Sequence, residues 1–225
     1  MKTVARFSLL SLALFCALTG GTWPARAQKE GAQSGTAAPA AAKATQPASL
    51  PARPVADKLA QAGWTRYEIG EPARFSLILP AAPIATTERP DILPGVTATM
   101  RNFMTVSDSG GYGVSYLETL PPALLDETGK RAFFERFIRG FTGSFRLKME
   151  ARGVDVALTM LEQRRAAVGG LAGYEQDFSF GMATGRVRLV FDARSAYAVV
   201  AVWNVLLSNS ERNAFFESLK VNTKR

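Results

Sequence analysis

Glu175 and Asp177 stand two residues apart in a run with strand character, so both carboxylates leave the same face of that strand. Two carboxylates on one face are the starting material for general acid–base chemistry, and a glycosidase needs such a pair flanking a cleft. Arg186 and Arg188 follow in the next strand of an expected hairpin. Cross-strand ion pairing explains all four charges without catalysis, and arginine neighbours hold carboxylates ionised, the wrong state for a general acid. The expected register sets Asp177 opposite Arg188 and Phe178 opposite Val187, with Tyr174, Gln176 and Phe178 on the other face.

The remaining chemistry is thin. The chain has no histidine and a single cysteine, Cys16. That removes Ser-His-Asp and Cys-His catalysis and the usual zinc and copper ligand sets. Lys148 and Lys220 fall on expected helices, where a solvated lysine is the ordinary outcome, so a lysine nucleophile has no buried candidate. The cluster Gly169-Gly170-Leu171-Ala172-Gly173 looks like a phosphate loop. A strand follows it rather than a helix, so no helix N-terminus is there to hold phosphate, and it reads as a turn. No catalytic, cofactor-binding or metal-binding residue is assigned, and the chain is expected not to be an enzyme.

The elements that carry these residues are legible from periodicity. Trp64 to Tyr67 leads to the turn Gly70-Glu71-Pro72. Phe75, Leu77 and Leu79 mark a strand that Pro80 and Pro83 end. Val96 to Val106 reads as one long strand, and Asp108-Ser109-Gly110-Gly111 turns it back into Tyr112 to Thr119. The period then changes. Phe134, Ile138, Phe141, Phe145 and Met149 share one face of a helix, with Thr128 as its expected cap and Arg131, Arg136 and Arg139 toward the other side. Gly140 and Gly143 each cost that helix about 1 kcal/mol, and a bend or break is expected there. Strands resume at Leu158 to Val168, Tyr174 to Phe180 and Val187 to Ala193, with a turn at Gly181 to Gly185. Ala196 to Val205 is apolar on both sides of the pleat, as a strand covered on both faces must be. Ser208 and Glu211 form a capping box that opens a last helix carrying Phe215, Phe216 and Leu219. The whole is an α+β domain on an antiparallel sheet.

Three segments follow from composition. Residues 1–27 read as a cleavable secretory signal. Lys2 and Arg6 precede an apolar run from Phe7 to Leu18, too short for the roughly 20 residues of a membrane span. Ala25 and Ala27 are small residues at the positions a signal peptidase accommodates, so the mature chain starts at Gln28, in the periplasm. The bulky Leu14 and Phe15 before Cys16 argue against lipid attachment. Residues 28–61 hold 11 alanines and 4 prolines and no aromatic residue, the composition of a disordered tether. One domain, 62–225, remains. The formal charge of +8 falls to +5 once Lys2, Arg6 and Arg26 leave, and Lys29, Lys43, Arg53 and Lys58 against Glu30 and Asp57 leave the domain +3. Its basic residues are scattered along the sequence, which excludes a nucleic-acid-binding patch and implies at most weak attraction to an anionic membrane surface.

In order, the chain offers a strand with Trp64, the run FSLILP from Phe75 with Pro83 beyond it, YGVSYLETLP from Tyr112 and a long helix. After them come Gly170, Gly173 and Tyr174-Glu175, a hairpin, an apolar strand through Trp203, and a closing FFESLKV from Phe215. Over residues 63–222 this series resembles the PsbP-like family of bacterial envelope proteins. That family is named for the extrinsic subunit of photosystem II, and its fold recurs in a Ran-binding nuclear import factor. The resemblance implies an α/β/α sandwich whose antiparallel sheet has six or seven strands flanked by helices. It also implies an accessory or binding role without a shared catalytic motif. The photosystem subunit's metal-associated histidines have no counterpart in a chain without histidine. Two functions are expected to compete: binding of an envelope protein partner or complex, and carriage of a small ligand or lipid in an apolar pocket between sheet and helix.

Edman sequencing of exported protein is expected to begin at Gln28. A start before residue 20, or lipid on Cys16, overturns that expectation.

Overall fold

The computed structural model describes residues 51–55, 63–151, 153, 157–181, 183–204 and 208–222. The cleavage residues Ala25, Ala27 and Gln28, and most of the expected tether, lie outside the described residues.

Seven antiparallel strands form the main sheet. In chain order they are β4 (Ile84–Glu88), β7 (Met100–Ser107), β8 (Gly110–Leu117), β9 (Leu158–Val168), β10 (Leu171–Phe180), β11 (Ala183–Phe191) and β12 (Ala196–Trp203). In space the order is β4-β7-β8-β12-β11-β10-β9. The strand expected to be covered on both faces, β12, is the middle one, and every residue in it is buried. Its alternate residues serve two cores. Ala196, Ala198, Val200 and Val202 enter one, and Tyr197, Val199, Ala201 and Trp203 enter the other.

The first core lies under helix α1 (Glu127–Glu150). Phe133, Phe134, Phe137, Ile138, Phe145 and Met149 are its buried face, while Phe141 is partly buried and packs against the same core. Asp126, not Thr128, caps the helix, its side chain accepting from the Gly129 amide at 2.7 Å. Asp126 still has extended backbone, whereas Thr128 is already inside the first turn. Gly140 and Gly143 do not interrupt the helix. Their cost of about 1 kcal/mol each is outweighed by aromatic burial on both sides, at roughly 1.5–3 kcal/mol per ring.

The other face of the main sheet carries a mixed layer. A four-stranded sheet, ordered β1-β2-β3-β13, consists of β1 (Ala52–Val55), β2 (Thr65–Ile69), β3 (Phe75–Leu79) and β13 (Lys220–Val221). Helix α2 (Asn209–Glu217) opens with the Ser208–Glu211 capping box and buries Phe215 and Phe216. The α+β reading with helices flanking an antiparallel sheet therefore holds, and on this face a small sheet shares the work with a helix. Phe75 touches Tyr116 and Tyr197 across the layers, with ring centroids 5.3 and 5.4 Å apart.

Several local readings are corrected. β1 lies inside the segment expected to be a tether, and Arg53 pairs with Glu68 of β2. Pro54 fits there because β1 is the edge of its sheet, where a missing N–H costs no ladder bond. The run 96–106 is divided into β6 (Val96–Thr97), which pairs with β5 (Asp91–Leu93), and β7. The glycine turn shrinks to Gly169–Gly170, both at positive φ, as a two-residue hairpin loop requires. The β10–β11 loop also has two residues, so Asp177 faces Arg186 and Glu175 faces Arg188. The expected register was off by two residues, which keeps each side chain on its face but changes every partner. Gly185, expected in the turn, sits within β11 opposite Phe178. A Cβ there would lie 2.1 Å from the Phe178 ring, so the glycine makes room for the aromatic side chain.

Phe178 is fully buried between α1 and the sheet. Phe178→Ala is expected to cost about 3–5 kcal/mol in chemical denaturation. A loss under about 1 kcal/mol would mean that this core collapses around the vacancy.

Candidate functional site

The carboxylate pair proves to be part of a ladder of charges on the face of the main sheet where α2 packs. Arg188 Nε donates to Glu175 Oε2 at 2.7 Å, and Arg164 Nε of β9 donates to Glu175 Oε1 at 2.6 Å. Asp177 takes Arg186 Nε at 2.5 Å and Nη2 at 3.0 Å, with Arg164 Nη2 at 3.2 Å. Arg188 Nη1 reaches Glu217 at the end of α2, 2.6 Å away. Arg186 and Arg188 also stand over the Phe216 ring, 5.3 and 5.5 Å from its centroid. Burial pushes the Asp177 carboxyl up, but hydrogen bonds and charge from Arg186 and Arg164 win and hold it below its ordinary value. All four oxygens of Glu175 and Asp177 are taken by guanidinium groups. The ladder fastens α2 to the sheet.

On the opposite face, α1 and β9 border a cleft of about 560 Å³. Tyr174 Oη donates to Glu127 Oε1 at 2.5 Å, and Arg165 bonds the same carboxylate while its guanidinium lies 4.7 Å from the Tyr174 ring. Those two hydrogen bonds, Tyr174 first, hold Glu127 below the usual carboxylate range. Burial, and then the Glu127 hydrogen bond, push the Tyr174 phenol up. Both shifts move away from neutrality, so neither group is placed to exchange a proton near pH 7. Thr128, Arg131 and Gln163 complete the wall, and Arg131 pairs with Glu135 at 3.1 Å.

A second depression of about 390 Å³ adjoins the first and shares Ala132 and Glu135 with it. Leu93, Pro94 and Gly140 supply its apolar surface, and Arg136 and Arg139 its charge. Arg136 Nε donates to the Asp91 carbonyl at 2.7 Å, which ties the β5–β6 hairpin to α1. Among the described residues, the Arg139 side chain has no hydrogen bond or ion pair. With Arg164 set aside, since the ladder holds its guanidinium, the two depressions are lined by Arg131, Arg136, Arg139 and Arg165 against Glu127 and Glu135, a net of +2. The whole 62–225 segment has a formal excess of +3. Arg165 of β9 thus joins the arginines of α1 on one face, although the two elements are far apart in sequence.

Between α1 and the sheet, where an apolar ligand pocket would have to lie, aromatic rings are packed together. Phe145 and Phe180 centroids are 4.2 Å apart, Phe134 and Tyr174 5.6 Å, and Phe141 and Phe178 5.9 Å. Among the described residues, no group of three or more Asp, Glu, Cys or His could hold a metal ion, and no helix is long and apolar enough to cross a membrane.

The gathering of arginines was missed because α1 and β9 are far apart in sequence. One signal was present. A two-residue turn at Gly169–Gly170 places Arg165 opposite Tyr174 and Arg164 opposite Glu175, and adjacent strand residues point to opposite faces. Arg164 therefore belongs with the ladder, though it also borders the cleft, and Arg165 belongs with α1.

No family model and no curated protein matches this chain. Among solved structures, it is similar to the solution structure of cyanobacterial PsbP (CyanoP) from Synechocystis sp. PCC 6803. The identity is 11% and the TM-score 0.45, over 75% of this chain and 98% of that one.

A carboxyl held low in the folded state contributes stability above its unfolded value and loses it as pH falls through the folded value. For Asp177 that loss lies below its ordinary value of 3.8. The stability difference between wild type and Asp177→Asn is expected to shrink between about pH 5 and about pH 2, read by urea denaturation. A difference that stays constant over that range would show that the ladder does not depend on the Asp177 charge.

Proposed function

We propose that the mature chain is an exported, non-enzymatic accessory protein that binds a protein partner of the cell envelope. The face formed by the outer side of α1 and by β9 is its docking surface. The observation that carries this reading is the clefted, net +2 face itself. Charge concentrated in that way steers and orients an oppositely charged partner, and it plays no part in holding the apolar core. The carboxylates that could have served catalysis are committed to arginines instead, both in the ladder and at Glu127. The signal at residues 1–27 supports a periplasmic location, and the Ala/Pro-rich segment before β1 supports a tethered mode of reach. A carrier function finds less support, since rings fill the space it would need.

Site-specific photo-crosslinking in cells that naturally produce the protein tests the reading. A photoreactive residue at Ala132, which borders both depressions, is expected to give one discrete adduct in the envelope fraction. The same group at Ile84, on the far edge strand of the main sheet, is expected to give none. Adducts of equal yield from both positions, or none from Ala132, would overturn the proposal. So would substrate turnover by purified protein that is abolished by changing one carboxylate.

A further inference from the structure

We infer that the depression holding Arg136 and Arg139 takes carboxylate side chains from an extended acidic peptide segment of the partner. The inference rests on the reading of this face as a docking surface and adds the chemistry of what docks there.

Arg131 has Glu135, Arg165 has Glu127, and Arg164 has both Glu175 and Asp177. Arg136 reaches only a backbone carbonyl, and Arg139 reaches nothing among the described residues. The two unmatched guanidinium groups stand three residues apart on α1, so they share one side of the helix. Both line the same depression of about 390 Å³. A planar guanidinium fork matches a carboxylate or a phosphate in two parallel hydrogen bonds. The chemistry required is therefore an oxyanion.

The surroundings favour a peptide over a membrane as its source. The guanidiniums line a concavity whose border with the adjoining cleft carries Glu135, already paired with Arg131, and that cleft adds Glu127 beside Arg165. An anionic bilayer presents a broad, uniformly negative surface, and the two glutamates would face it unfavourably. A peptide can send one acidic side chain to Arg136 and Arg139 and offer its backbone amides to the glutamates a few residues further on. Leu93, Pro94 and Gly140 give the depression an apolar wall, suited to the stem of such a side chain. Arg136 and Arg139 are exposed and lie outside the aromatic core, so changing them leaves the packing of α1 intact.

Fluorescence anisotropy with a labelled peptide of alternating glutamate and proline, held extended by its prolines, provides the test. Full-length mature protein is expected to bind it, and to ignore the same peptide with glutamine for glutamate. Arg136→Gln with Arg139→Gln is expected to weaken binding by at least about tenfold while the protein stays folded, with a melting temperature lowered only by loss of the Arg136 bond to Asp91, because charge-assisted bidentate bonds are lost. Arg139→Gln alone leaves the Arg136 bond to Asp91 in place and is expected to weaken binding by a smaller factor. The lysine pair, which keeps charge but not the fork, is expected to fall between wild type and the glutamine pair. Equal affinity for wild type and the glutamine pair would overturn the inference. So would sedimentation with phosphatidylglycerol vesicles that is lost in the glutamine pair while the peptide fails to bind wild type. If the Ala132 adduct persists in cells carrying the glutamine pair, the acidic-peptide assignment fails and the docking face stands. If wild type gives no adduct, the docking face itself fails.

Discussion

The fold depends on one strand that is apolar on both sides. β12 buries alternate residues in two separate cores, and a strand of that kind has no stable position except between two covering layers. Each Val buried in it contributes roughly 1.5–3 kcal/mol only if the layer on its own side is present, so the strand as a whole needs both. The aromatic face of α1 supplies one layer. The other needs more area than the nine residues of α2 can cover, and the small sheet β1-β2-β3-β13 provides the rest. The chain reaches back before Trp64 for β1 and uses its last described residues for β13, so both ends of the domain serve the same layer.

Electrostatics then settle what the apolar terms leave undecided. α2 is short and marginal as an isolated helix, and Phe215 and Phe216 alone would allow it some freedom of position. The arginines of β11 remove that freedom by stacking on Phe216 and bonding Glu217. Arg188 and Glu175 are both buried, and a buried ion of either sign is tolerable only with its partners in place. The pair that resembled an acid–base site is thus a device of assembly. The same logic applies at the edge of the main sheet. β9 is a long edge strand with exposed Met160 and Leu161, where a foreign strand could add. A bulge places Leu161 and Glu162 opposite the single residue Asp177, and Arg164 and Arg165 sit beside it, features that discourage edge-to-edge pairing.

The proposed docking face is a by-product of those commitments. Once rings pin α1 to the sheet, its arginine side must point outward, between the β5–β6 hairpin that Arg136 reaches and the Arg165 of β9 that bonds Glu127. The distribution of charge over the molecule is therefore decided by packing, and a composition that looks nearly neutral yields a face with most of the excess.

Residue order by itself determined the element types. The helical spacing of Phe134 to Met149, the apolar run of β12 and the Ser208–Glu211 box each depend only on neighbours a few positions away, and each is found as read. The pairing of arginine with carboxylate across β10 and β11 was also legible, because parity along a strand survives a shift of two residues. The register did not follow from the glycines, because Gly185 and Gly173 are in strands for the sake of a ring and a backbone that approach from elsewhere. The strand at Ala52–Val55 could not be read either, since its apolar content is low and its order comes from β2 beside it. Only the tertiary structure could bring α1 and β9 together and so collect four arginines on one face. Charge acts through space at a range set by the solvent, not by sequence separation, and only the fold determines those distances.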